Sequence, residues 1–253
     1  MPTLDRDGTT IHYEVHGEGR PVVLVHGLCV TFRGNFGAYG WVPTLVEAGF
    51  QVVGMDCRGH GKSGKHYDPS AYGVGPSTAD ILAVVEHLRL DRPALVGYSL
   101  GSLYALHLAH AHPDAWSAIA LCATGDGLVG GEPSVDTVRR DLVDALDRDE
   151  EPSDLPPHIA IYWTFATKVS GDIRALRALA RGSYPTVTRE EAARVKAPTL
   201  VVGGEKDLVL GAGHELAASV PGARHLVVPG MDHFSLAIDP TAQRAIADFL
   251  RSA

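Results

Sequence analysis

The residues with the clearest chemistry are Gly97-Tyr98-Ser99-Leu100-Gly101. A short apolar run, Ala94-Leu95-Val96, precedes them, and a helical pattern lasting to about His112 follows. This predicts a strand that turns sharply into a helix with Ser99 at the apex. Glycine at 97 and 101 leaves room where a Cβ would meet neighbouring backbone. The hydroxyl then stands at a helix N-terminus, whose N–H groups favour negative charge. Those are the needs of a nucleophile that attacks a carbonyl carbon.

Such an attack also needs two backbone N–H groups aimed at the developing oxyanion. The residue after the nucleophile, Leu100, supplies one. The other should come from a loop that follows an earlier strand. Val22-Val23-Leu24-Val25 is a short apolar run of that kind and ends in His26-Gly27-Leu28. Leu28 is therefore the second candidate donor, with Cys29 next in line. His26 is read as a side chain that ties this loop down rather than as a proton carrier. The turn-rich stretch from Asp56 to Gly64 lacks the spacing of a phosphate loop. Asp56, Arg58 and Ser63 are expected to fix it by local hydrogen bonds.

These residues need a scaffold. At 253 residues the chain fits one large α/β domain with a small insertion. Hydrophobic residues make up 45% and charged residues 21%, an ordinary globular balance. A formal net charge of -8 without a basic block argues against nucleic-acid binding. No apolar run is long enough to span a bilayer, and the N-terminal residues lack the apolar core of a signal peptide. Cys29, Cys57 and Cys122 are odd in number and widely spaced, which reads as free thiols in a reducing, cytoplasmic setting. No cysteine or histidine cluster has metal-ligand spacing, and His107, His110 and His112 read as helix-end residues.

In chain order, residues 3–15 read as a hairpin about Asp7-Gly8. Strands are expected at 22–25, 51–55, 94–96, 119–123, 199–202 and 225–228, with helices between them. Ser77-Thr78-Ala79-Asp80 reads as a capping box opening a helix. Asp239-Pro240 reads as N-cap and first residue of the last helix. From 125 to 196 the strand pattern vanishes. Helical segments near 134–147, 157–168 and 172–182, broken by Pro152, Pro156, Pro157 and Gly171, predict an inserted cap between core segments 1–124 and 197–253. Leu128, Tyr162 and Trp163 are the expected pocket residues of this cap, with Val129, Ile161 and Phe165 as further candidates.

The alternation predicts a mostly parallel central sheet with helices on both faces and an inserted helical cap. Catalytic loops of such sheets lie beyond the carboxyl ends of the strands. His26-Gly27-Leu28, Asp56, Ser99, Asp207 and His233 all follow predicted strands, so they can converge on one rim.

With these motifs, and with Gly203-Gly204-Glu205-Lys206-Asp207 and Gly230-Met231-Asp232-His233, the sequence resembles the α/β-hydrolase fold superfamily over nearly its whole length. The resemblance implies Ser99 as nucleophile, His233 as general base and then acid, and Asp207 as the carboxylate orienting the imidazole. Glu205 and Asp126 are the alternatives to Asp207. It implies no cofactor and a small-molecule carbonyl substrate: an ester, thioester or lactone. A carbon–carbon bond hydrolase, a cofactor-free perhydrolase and a non-hydrolytic enzyme or binding protein reusing the pocket remain as alternatives. Epoxide hydrolases and haloalkane dehalogenases of this fold carry aspartate where this chain has Ser99. The loop from Val30 to Gly40 is longer than usual, and its Arg33 and Asn35 are candidates for contact with a polar substrate group, beside the simpler reading of a solvated loop.

Overall fold

The structure is a computed structural model that describes residues 2–130, 135–148, 154–169 and 172–253. Residue 134 of the first expected cap helix, together with Pro152 and Gly171, lies outside the described residues.

Short apolar runs build one eight-stranded sheet in the order β1-β2-β4-β3-β5-β6-β7-β8. Its strands are β1 (Thr3–Arg6), β2 (Thr9–His16), β3 (Arg20–Val25), β4 (Phe50–Met55), β5 (Ala94–Tyr98), β6 (Ile119–Cys122), β7 (Thr199–Gly204) and β8 (Arg224–Val228). β1 and β2 form the expected hairpin, and β2 joins β4 antiparallel. All the other pairings are parallel. Asp7 and Gly8 both take positive φ, 50° and 79°, as a tight hairpin turn requires.

Strands buried on both faces read as continuous apolar runs, because alternate residues feed opposite cores. Val23 and Val25 pack into one core, Val22 and Leu24 into the other. The first core takes the helices α2 (Val74–His87) and α3 (Leu100–Ala111). The second takes α1 (Trp41–Glu47) and α9 (Pro240–Ser252). α3 is apolar on most sides, and eight of its twelve residues are buried. Asp239 caps α9 as expected, accepting from the N–H of Ala242 at 2.8 Å.

The α2 boundary differs from expectation. The helix begins at Val74 after Gly73, so Ser77 and Asp80 lie inside it and form no capping box. Asp80 instead takes Arg58 in a buried two-pronged pair, at 2.6 and 2.7 Å. A charge fully desolvated inside a helix needs such a partner, and that need outweighs its preference for a cap.

Between β6 and β7 the chain makes a helical excursion: a short turn at Asp126–Val129, then α4 (Val135–Leu146), α5 (Pro157–Lys168), α6 (Ile173–Ala180) and α7 (Arg189–Ala192). α8 (His214–Ser219) then links β7 to β8. α5 buries Ile159, Tyr162, Trp163 and Ala166, the spacing of one helix face.

Candidate active site

Ser99 sits between β5 and α3 with φ 52° and ψ -113°, a conformation that non-glycine residues adopt only when surroundings enforce it. The enforcement is steric. A Cβ at Gly97 would lie 2.4 Å from the carbonyl oxygen of Gly101, and one at Gly101 would lie 2.0 Å from that of Val25. The turn is thus pressed against the end of β3, and the Ser99 N–H is held by the Cys122 carbonyl at 2.8 Å. Ser99 as a whole is 6% exposed.

His233 follows β8 and Asp207 follows β7. Both close on Ser99. His233 Nδ1 lies 2.8 Å from Asp207 Oδ2, and His233 Nε2 lies 2.9 Å from Ser99 Oγ. Asp207 cannot donate, so Nδ1 carries the proton and Nε2 presents its lone pair to the serine hydroxyl. The other carboxylate oxygen of Asp207 accepts from the N–H groups of Val209 and Leu210, at 2.8 and 3.0 Å. Burial alone would push this carboxyl up. The neighbouring His233 and the two N–H groups outweigh it and hold Asp207 below its ordinary value.

The other acids have different work. Asp126 accepts from the N–H groups of Glu215 and Leu216 at the start of α8. Glu205 accepts from Gly230, and Asp232 from Phe234 and Ser235.

Leu28 and Leu100 flank the serine, and among the described residues neither N–H makes a hydrogen bond. Cys29 is different: its N–H donates to His60 Nε2 at 3.1 Å. Gly27 is pinned by Asn35, whose Oδ1 accepts the Gly27 N–H at 3.0 Å. His26 accepts the Cys57 N–H on Nε2 at 2.9 Å and donates from Nδ1 to the Gly27 carbonyl at 2.7 Å. His60 has the same pattern, with Nδ1 at 3.1 Å from the Arg58 carbonyl. Both rings are therefore neutral ties between the loops after β3 and β4. Burial, with His26 beside it, pushes His60 down to about 3. Asp56 joins the same loops by accepting from Phe32 and Lys62, each at 2.9 Å. Arg33 is turned away from the serine and pairs with Glu14 at 2.8 Å. His107 and His110 make their own contacts at the end of α3, and among the described residues no group of side chains has the arrangement of a metal site.

Two cavities meet at Ser99. One, of about 60 Å³, is walled by Leu28, Leu100, Leu103, Leu128 and Leu179. The other, of about 180 Å³, is walled by Gly27, His233, Phe165, Phe234 and Ala237. Tyr162 borders both, and its hydroxyl lies 3.2 Å from His233 Nε2. Trp163 departs from the sequence expectation. It is 5% exposed but lines neither cavity, because the next residue on a helix points about 100° away and into the packing of the excursion. Ile161 faces outward at 36% exposure, and Val129 is buried outside both cavities. The hydroxyl contact of Tyr162 was not foreseeable from its spacing, which specifies a buried face but not what the ring tip reaches.

Residues 20–148 match the family model described as the alpha/beta hydrolase fold. The chain belongs to this family. This α/β hydrolase is 29% identical over 265 residues to a pimeloyl-[acyl-carrier protein] methyl ester esterase of Chromobacterium violaceum, covering 94% of this chain and 97% of that one. The crystal structure of an enol-lactonase from Burkholderia xenovorans LB400 superposes with a TM-score of 0.77 at 28% identity, covering 98% of this chain and 99% of that one. Epoxide hydrolase B of Mycobacterium tuberculosis is 30% identical over 137 residues, which is 50% of this chain and 37% of the length of that enzyme. The relatives are hydrolases, and so is this chain. Among the described residues, no helix is long and apolar enough to cross a membrane.

Proposed function

We propose that the chain is a serine hydrolase of a small or medium ester, thioester or lactone, working through an acyl-enzyme. The observation that carries this reading is the unbroken line from Asp207 Oδ2 through His233 to Ser99 Oγ, at 2.8 and 2.9 Å. Ser99 Oγ attacks the substrate carbonyl while His233 Nε2 takes its proton. Asp207 holds the ring's tautomer and stabilises the imidazolium. The Leu28 and Leu100 N–H groups receive the oxyanion, for which their lack of other partners is the support. His233 then gives its proton to the leaving oxygen, or to the leaving sulfur of a thioester, and the bond between that atom and the acyl carbon breaks. A water, deprotonated by His233, attacks the acyl carbon and releases the acid and Ser99. The two relatives matched over nearly the whole chain, a methyl ester esterase and an enol-lactonase, favour this substrate range.

The excursion at 125–196 acts as a lid in this reading, since Leu128, Tyr162 and Leu179 contribute walls beside the serine. Three buried free cysteines favour a reducing compartment such as the cytoplasm. The test is initial-rate hydrolysis of p-nitrophenyl esters, thioesters and lactones of graded acyl length. The expected outcome is turnover that falls at least about 10³-fold in Ser99→Ala with the melting temperature kept. Full activity in Ser99→Ala would end the reading.

A further inference from the structure

The Tyr162 hydroxyl has a place in the reaction that the three residues of the proton line leave open. It lies 3.2 Å from His233 Nε2, the atom that also meets Ser99 Oγ at 2.9 Å. Nε2 has one lone pair, and the serine hydroxyl at 2.9 Å claims it. The phenol is thus an extra donor held at the atom through which protons pass. Its ring is clamped from outside by Phe234, with centroids 5.3 Å apart.

Where the leaving group goes follows from the walls. His233 must reach the leaving oxygen to protonate it, and His233 borders only the larger cavity. Leu100, beside the oxyanion, borders only the smaller, leucine-walled one. In the serine-hydrolase reading this seats the alcohol, or the lactone's oxygen side, in the larger cavity beside His233 and leaves the smaller one to the acyl chain. Tyr162 stands on the boundary, next to the bond that breaks.

We propose that Tyr162 is a catalytic residue whose hydroxyl donates a hydrogen bond to the leaving oxygen as the acyl–oxygen bond breaks, an assignment that rests on the serine-hydrolase reading. The proton transferred remains that of the His233 imidazolium, and the phenol keeps its own. Burial raises the Tyr162 phenol above its ordinary value, so it stays protonated and acts as a donor throughout. When the acyl-enzyme is hydrolysed, the attacking water occupies the place of the departed oxygen, and the same hydroxyl holds it for His233.

A donor at the leaving oxygen matters most where that oxygen becomes a strongly basic alkoxide, and least where it becomes a stable phenolate. The test is Tyr162→Phe, which keeps the clamped ring. A series of esters shares one accepted acyl group and runs from p-nitrophenyl through phenyl to ethyl, with Ser99→Ala as control. The readout is kcat/KM, which reports acylation alone. Tyr162→Phe should lose about 10²-fold on the ethyl ester and no more than about threefold on the p-nitrophenyl ester, steepening the dependence on leaving-group pKa. An equal fall across the series, or none, would overturn the assignment and leave Tyr162 as a wall. Turnover that survives Ser99→Ala would overturn the serine reading and this assignment with it.

Discussion

Ser99 and Tyr162 reach the same imidazole from two differently built regions. Ser99 is fixed by backbone. Its strained φ of 52° is held because β5, α3 and the end of β3 meet with no room for side chains at Gly97 and Gly101. The loops after β3 and β4 add two neutral histidines and Asp56 as cross-ties. Tyr162 is fixed by side-chain packing on α5, one helical face among Phe165, Phe234 and the leucines of the excursion. The first region cannot shift without dismantling the sheet. The second rests on side-chain contacts of α5, which take no part in the hydrogen-bonded ladder of the sheet. Ser99 is thereby held by close backbone packing, a stiffer support than the side-chain contacts that hold Tyr162.

That contrast breaks most visibly at Gly101. Gly101→Ala places a methyl 2.0 Å from the Val25 carbonyl oxygen, backbone that cannot turn aside. It is expected to cost about 3 kcal/mol or more and to remove activity, read from urea unfolding and ester turnover. An unchanged midpoint would mean that the turn is not held by backbone contact.

Leu179→Ala probes the softer region, where Leu179 walls the smaller cavity. Its expected cost is about 3 kcal/mol, within the range for a buried leucine, because the vacated space at the cavity wall stays open. In the ester panel the acyl optimum should move to longer chains, with Ser99 still reactive.

The smallest effect sharpens the stiff region through pH. His60 titrates near 6.5 when unfolded and is pushed down to about 3 in the fold. A depressed histidine gives stability that is complete above the unfolded value and declines below it, because only the unfolded chain takes the proton. Between about pH 6.5 and about pH 5.5 this one ring should remove about 1 kcal/mol of stability. His26, lowered chiefly by burial, adds to the same slope. His60→Gln should flatten it, and equal slopes for both proteins would show that His60 is not a buried neutral tie.

The stiff region was also the legible one. Glycine at 97 and 101 around a serine after an apolar run has few physical explanations, and chain order set Asp207 and His233 on the same rim. The β1–β2 hairpin and the Asp239 cap announced themselves through local turn and capping chemistry. The start of α2 did not, because Asp80 is committed to Arg58, 22 residues away, and no local rule sees that partner. The excursion was legible as helices but not as walls. A helical period identifies the buried face holding Tyr162 and Trp163. Which of the two borders the cavities depends on where α5 lies relative to β8, a long-range matter. Arg33 illustrates the same limit, since its partner Glu14 sits on β2, 19 residues away in the chain.

A nucleophilic Ser99 activated by His233 must react with a phosphorus electrophile that mimics the attacked carbonyl. That requirement is tested most directly by treating the folded protein with a fluorophosphonate and mapping the adduct by mass spectrometry. One adduct is expected, on Ser99, absent in Ser99→Ala and formed far more slowly in His233→Ala. A folded protein that stays unlabelled at Ser99, or labels as fast without His233, would contradict it.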